Sequence, residues 1–230
     1  MHDLLKERSV IFFDLGFTLL YPASGDWTFT KMFCEIASGR LEKCDPELIR
    51  KARAEGADYL NNNQLLHNET EETEQFSRYY RMISDILDLD LTESDIETIS
   101  RDRTCNTNNY LLYPDTVKVL QTLVKTHRLG ILSDTSPSIE LKLQALKIRQ
   151  YFAFATYSFD VGVCKPDPRM YTDALQKCGC DANKTVFIDD RPQNLEGAAK
   201  FGIAPVLIAA NPASDIETPY PKIRSLSELL

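Results

Sequence analysis

An α/β fold, a doubly wound parallel sheet interrupted by an inserted α-helical bundle, is what this sequence of 230 residues predicts, on three observations. Short apolar runs that end in a polar residue recur along the chain, and in its second half they alternate with helical patterns. Between residues 22 and 110, by contrast, helical patterns follow one another with no convincing strand between them. The length suits one domain of about 150 residues plus a smaller one.

The first run, Val10-Ile11-Phe12-Phe13, ends in Asp14 and Gly16. It is too short for a helix and rich in β-branched and aromatic residues, so it reads as a buried parallel strand. Similar runs occupy 129–132, 152–157, 185–188 and 205–208. Asp115 can cap a helix bearing Val117, Val119, Leu120, Leu123 and Val124, and Pro192 can open one that Gly202 ends. Right-handed crossovers then cover both faces of the sheet.

Within the insertion, Asp45-Pro46 is a cap followed by proline at the first helical position. Phe76, Tyr80, Ile83 and Leu87 make one apolar stripe, and Thr92-Glu93-Ser94-Asp95 is a capping box. Tyr21-Pro22 and Tyr113-Pro114 flank the segment and suit a pair of linker strands. The expected division is a core of residues 1–21 and 111–230 and a helical cap of 22–110, placed over the end of the first strand.

Hydrophobic content of 43% and charged content of 26% are ordinary for a folded chain with a buried core. A net charge of −8, from 26 basic and 34 acidic residues, disfavours non-specific binding to nucleic acid or to an anionic membrane. An anionic substrate then needs a local positive site. The first ten residues, MHDLLKERSV, mix charged with apolar residues, and no run approaches the roughly 18 apolar residues of a membrane span. No export signal is visible, and a cytoplasmic location is expected. The six cysteines are scattered and read as reduced thiols, with Cys178-Gly-Cys180 as a turn at a helix end.

In open parallel sheets the ligand site lies at the carboxyl ends of the strands. Asp14, Ser133 and Asp189 are each the first polar residue after an apolar strand, so three strands deliver hydroxyl or carboxylate groups to one sheet edge. Singly, each is an ordinary turn or capping residue; their convergence is the signal. Four segments fall in order: Asp14-Leu-Gly-Phe-Thr18; Ser133; Lys165 within Gly162-Val-Cys-Lys-Pro-Asp-Pro-Arg-Met-Tyr171; and Asp189-Asp190-Arg-Pro-Gln-Asn194-Leu-Glu-Gly-Ala198. This set resembles the four motifs of the haloacid dehalogenase-like hydrolase superfamily, and the place of the insert resembles the subgroup with an α-helical cap after the first motif.

The resemblance implies a Rossmann-like core and a hydrolase that uses Mg2+, acting on a small phosphorylated metabolite as a monomer or homodimer. It makes Asp14 the nucleophile, forming an aspartyl-phosphate that splits one hard displacement into two easier ones. Ser133, Asp134 and Lys165 then bind the phosphoryl group, with Lys165 as a compact charge between two anions. Magnesium takes oxygen ligands and retains several waters; by resemblance its ligands are the Asp14 side chain, the Gly16 carbonyl and Asp189. Asp190 and Asn194 support the metal and its waters, and Thr18 steadies the first-motif loop by bonding its backbone.

Phosphatases of this superfamily carry a second aspartate two residues after the nucleophile, as acid for the leaving group and base for water; here that residue is Gly16. Losing such a group costs about 10² to 10⁴ in rate. Three readings stay open. One is a phosphatase whose leaving group needs no acid or draws it from the cap, His67 and several carboxylates being candidates. Another is a metal-independent 2-haloacid dehalogenase-like hydrolase, since halide leaves unprotonated, although Asp189-Asp190 preserves the carboxylates a cation requires. The last is a non-catalytic module that binds a phosphorylated ligand. Specificity is expected in the cap, where aromatics such as Trp27, Tyr59 and Tyr79 stand out.

Overall fold

The structure is a computed structural model and describes residues 3–230. Met1 and His2, part of the N-terminal segment read above, lie outside the described residues. In chain order the elements are β1 (Val10–Phe13), β2 (Leu20–Pro22), α1 (Lys31–Ile36), α2 (Pro46–Asn62), α3 (Glu69–Leu87), α4 (Glu93–Cys105) and β3 (Tyr110–Leu112). They continue with α5 (Thr116–Leu123), β4 (Arg128–Ser133), α6 (Ile139–Ala145), β5 (Phe152–Tyr157), α7 (Ser158–Val161) and α8 (Pro168–Cys178). The last are β6 (Thr185–Asp189), α9 (Pro192–Lys200), β7 (Ala204–Ile208) and β8 (Lys222–Ile223).

The main sheet runs β5-β4-β1-β6-β7-β8, every pairing parallel. Alternation along β1 sorts its side chains onto two faces. Ile11 and Phe13 join Val119, Leu120, Ile139 and Leu143 of α5 and α6 in one apolar cluster. Val10 and Phe12 join Met170, Tyr171, Ala174, Leu195 and Ala198 of α8 and α9 in the other. Both faces are therefore covered, which is the doubly wound fold expected from the buried, non-alternating strands. From β1 the chain crosses to β4 and β5 on one side and returns to β6 on the other. The crevice at the carboxyl ends of β1 and β6 is the topological switch point, where open sheets bind ligands.

β2 and β3 form a separate antiparallel ribbon that pairs Leu20 with Leu112 and Pro22 with Tyr110, and the rings of Tyr21 and Tyr113 lie 5.0 Å apart beside it. The four helices between the two strands bury their own apolar cluster, centred on Phe33, Tyr80, Ile83, Leu87, Ile96 and Ile99. Each such side chain contributes about 1.5–3 kcal/mol by leaving water. Asp45 and Thr92 cap α2 and α4 through their side chains, the latter in a reciprocal capping box with Asp95.

Two details differ from the sequence reading. Asp115 precedes α5 but its carboxylate makes no cap; it accepts instead from the backbone N–H of Ser227. The C-terminal segment competes for that acceptor. Val117 and Val124 are also exposed, so the buried stripe of α5 is Val119, Leu120 and Leu123 alone. The turn at Gly179 behaves as expected, closing α8 with φ +63°, and all six cysteines are free. Among the described residues no helix is long and apolar enough to cross a membrane.

One contact ties the helical segment to the sheet domain through a charge. Glu72 of α3 is fully buried, and its carboxylate accepts from Ser136 Oγ at 2.9 Å, Ser138 Oγ at 2.6 Å and the Ser138 N–H at 2.7 Å. Lys142 of α6, also buried, donates to Ser138 Oγ and to the Arg103 carbonyl.

Candidate active site

Asp14 leaves the end of β1, Ser133 ends β4, Asp189 ends β6, and Lys165 comes from the loop between α7 and α8. These converge because parallel strands present their carboxyl ends to the same edge. Lys165 is 7% exposed, and its Nζ lies 2.6 Å from Asp14 Oδ1, 2.7 Å from Asp189 Oδ2 and 3.1 Å from the Leu132 carbonyl. A buried ammonium is stable only where its charge and its three donors are all met, and here they are. Burial works against the Lys165 charge, but Asp14 and Asp189 outweigh it and hold its pKa above the usual lysine range.

Ser133 Oγ donates to Asp14 Oδ1 at 2.9 Å, so Oδ1 is held by two donors while Oδ2 accepts from no described residue. The Asp14 side chain is thus fixed with one oxygen free on the cavity side. Burial, offset by Lys165, raises the Asp14 pKa. Asp189 is saturated: Asn194 Nδ2 donates to both of its oxygens, at 3.1 and 3.0 Å, and the Arg191 N–H to Oδ1 at 2.7 Å. Asp190 Oδ2 accepts from Ser214 Oγ at 3.0 Å, a partner that the sequence reading missed because it lies far along the chain. Burial and the neighbouring Asp189 and Asp14 push the Asp190 carboxyl up to about 7. Asp134 Oδ1 accepts from the Lys165 N–H at 2.9 Å, and burial raises its pKa to about 6.

Thr18 does not act as expected. Its hydroxyl is buried with no partner among the described residues, and the loop is closed by backbone bonds instead, from Phe17 N–H to Leu20 and from Thr18, Leu19 and Leu20 N–H to Leu15. A turn satisfied by its own main chain leaves nothing for the hydroxyl to bond. His67 is exposed and does not line the cavity, which removes it as a source of acid there.

The cavity above these residues has a volume of about 330 Å³ and is bounded on its other side by the helical segment, with Trp27, Phe76, Tyr79 and Arg103 in its wall. Two ring carbons of Trp27 stand 3.3 and 3.8 Å from the point where a Cβ on Gly16 would project. The indole fills the space that a side chain at 16 would enter. Arg103 was not anticipated, yet a signal existed: Ile96, Ile99, Ser100 and Arg103 follow the helical stripe, so an arginine stands on the buried face of α4.

Asp14, Asp134 and Asp189 lie about the ammonium of Lys165, and Asp190 lies beside Asp189, Asp14 and Arg191, so the carboxylates outnumber the cations when all are ionised. Among the described residues no three His, Cys, Asp or Glu side chains form a metal cage. Magnesium does not require one, since one or two carboxylates, a backbone carbonyl and waters serve it. A free carboxylate oxygen on Asp14 and the raised pKa of Asp190 fit such a cation, which would relieve the crowding of charge.

Fold and cluster together are those of a Rossmann-like hydrolase. A family model described as "Hydrolase: haloacid dehalogenase-like hydrolase" matches residues 10–202, and the chain belongs to that family. Among its relatives are (S)-2-haloacid dehalogenase 4A of Burkholderia cepacia, 31% identical over 122 residues that cover 51% of this chain and 53% of the relative. GMP/IMP nucleotidase YrfG of Escherichia coli K12 is 31% identical over 123 residues, 51% of this chain and 54% of the relative. The chain thus matches about half the length of these curated relatives. A solved L-2-haloacid dehalogenase from Xanthobacter autotrophicus has the same fold, with a TM-score of 0.69 at 17% identity over 96% of both chains.

Proposed function

We infer that the protein is a magnesium-dependent phosphatase of small phosphorylated metabolites, with Asp14 as nucleophile and residues 22–110 as a helical cap. The observation that carries this reading is the Asp189-Asp190 pair beside Lys165 and Asp14. A carbon–halogen hydrolase that works without metal has no need of crowded carboxylates, whereas phosphoryl transfer between anions needs a cation among them.

With Oδ1 held by Ser133 and Lys165, Oδ2 of Asp14 is the atom that attacks phosphorus. The P–O bond to the leaving group breaks and its electron pair leaves with that oxygen. Water then attacks phosphorus, releasing phosphate and restoring the carboxylate. Asp14 and the Gly16 carbonyl would hold the metal together with Asp189, which would give up its Asn194 donor to the cation, and Asp190 and the released Asn194 would support it. Bound there, magnesium supplies positive charge for the phosphoryl oxygens. Lys165 adds a second charge, and Ser133 is placed to turn its hydroxyl from Asp14 to the phosphoryl group. Gly16 supplies no proton, and Trp27 keeps the adjacent space apolar, which favours leaving groups stable as anions.

The dehalogenase reading is the alternative, because Gly16 and the Burkholderia relative agree with it. Rapid-quench peptide mapping after incubation with an aryl phosphate or a 2-haloacid separates the two. Phosphorylation of Asp14, with magnesium-dependent release of phosphate and no halide release, is the expected result. An ester at Asp14 formed only from the haloacid would replace the phosphatase reading.

A further inference from the structure

Arg103 is a buried cation whose guanidinium has neither ion pair nor hydrogen bond among the described residues. It is 9% exposed and lies against ring faces, 5.2 Å from the centroid of Phe76 and 5.9 Å from that of Trp27. Its nitrogens are not among the buried polar atoms left without a partner, so the free donors of the planar fork open into the cavity that Arg103 lines. The carboxylate of Glu72 acts on Arg103 through space only; the hydrogen bonds it accepts come from Ser136 and Ser138. The other arginines of the cavity differ: Arg53 is paired with Asp26 and stacked on Phe29, and Arg191 is exposed.

Arg103 lines the same cavity as Asp14. Trp27 spans the two, touching the space beside Gly16 at one point and the guanidinium at another. A group bound at Arg103 therefore lies about one indole away from the scissile bond, on the leaving-group side. The surroundings are aromatic and offer one positive charge. A carboxylate matches that charge and the planar fork, whereas a phosphate monoester, carrying roughly −1.5 to −2, would bring excess charge into an apolar wall.

We propose that Arg103 binds a carboxylate on the leaving group, so that the substrate is a phosphomonoester bearing a carboxylate about one ring away from the phosphate. The inference rests on the phosphatase reading of Asp14, and with Gly16 it narrows the class to carboxylated aryl, enol or acyl phosphates. Arg103 selects the substrate and takes no part in the displacement.

The test compares phenylphosphonate with para-carboxyphenylphosphonate, in magnesium, by titration calorimetry, and the corresponding phosphates as substrates. The wild type is expected to bind the carboxylated compound about tenfold to a hundredfold more tightly, as for a hydrogen bond to a charged group. In Arg103→Gln that ratio should fall to near one, and in Arg103→Lys it should be intermediate. The comparison within the wild type does not depend on how well either variant folds. Equal affinities in the wild type, or an unchanged ratio in Arg103→Gln, would overturn the proposal. Turnover of phenyl phosphate without any carboxylate preference would uphold the phosphatase and remove this subsite. An Arg103-dependent preference without turnover would uphold the subsite and remove the phosphatase.

Discussion

The indole of Trp27 stands over the open side of Gly16, with ring carbons 3.3 and 3.8 Å from where a Cβ would sit. A side chain placed at 16 must therefore push the ring back by a few tenths of an ångström. Gly16→Asp alone is expected to raise alkyl phosphate turnover little, whereas Gly16→Asp with Trp27→Phe should raise it by about a hundredfold or more, the usual range for a general acid. Kinetics of both variants and of Trp27→Phe alone decide this. A full gain in the single Gly16→Asp variant would show that Trp27 is no obstacle.

Lys165 satisfies two buried carboxylates at once, so its removal affects folding as well as rate. Lys165→Met should lower stability by about 3–5 kcal/mol, the range for breaking a buried ion pair from one side. Adding Asp14→Asn should restore part of that loss, because one uncompensated charge is gone. Urea titrations of the two variants measure it; equal stabilities would contradict the pairing.

Much of this arrangement could be read from the residues. The strands β1, β4 and β6 announced themselves because burial on both faces leaves an apolar run with a polar stop, and that stop is the site residue itself. Asp14, Ser133 and Asp189 were visible for this reason. Arg103 was not singled out, and Trp27 only as one of several cap aromatics, since both come from the helical segment and their place in the cavity depends on how that segment packs on the sheet. Thr18 misled because a hydroxyl in a turn ordinarily bonds the backbone, and here the main chain already does so.

The Asp134 carboxyl, raised by burial from 3.8 to about 6, makes stability depend on pH. The folded state holds this proton more tightly than the unfolded chain, so the contribution is complete below about 3.8 and is lost as pH rises through about 6. Asp134→Asn should remove that loss. In the metal-free protein, the variant should gain on the wild type between pH 4 and pH 7 by on the order of 2 kcal/mol. Thermal melts across that range would show parallel curves if Asp134 did not titrate there.

Magnesium is expected to bind with micromolar to millimolar affinity and to raise the melting temperature. At a hundredfold excess over Kd the gain is about 2.7 kcal/mol. Asp189→Asn should weaken binding, and Asp14→Asn/Asp189→Asn should abolish it in calorimetry. Identical metal affinity in the double variant and the wild type would place the site elsewhere.

The central claim is that Asp14 displaces a leaving group that departs without a proton, since Gly16 has none to give. The most direct measurement is kcat/KM for a series of phosphate monoesters, with magnesium, plotted against leaving-group pKa. The account predicts a steep fall from aryl to alkyl esters, with all activity lost in Asp14→Asn. A flat plot, or turnover that survives Asp14→Asn, would contradict it.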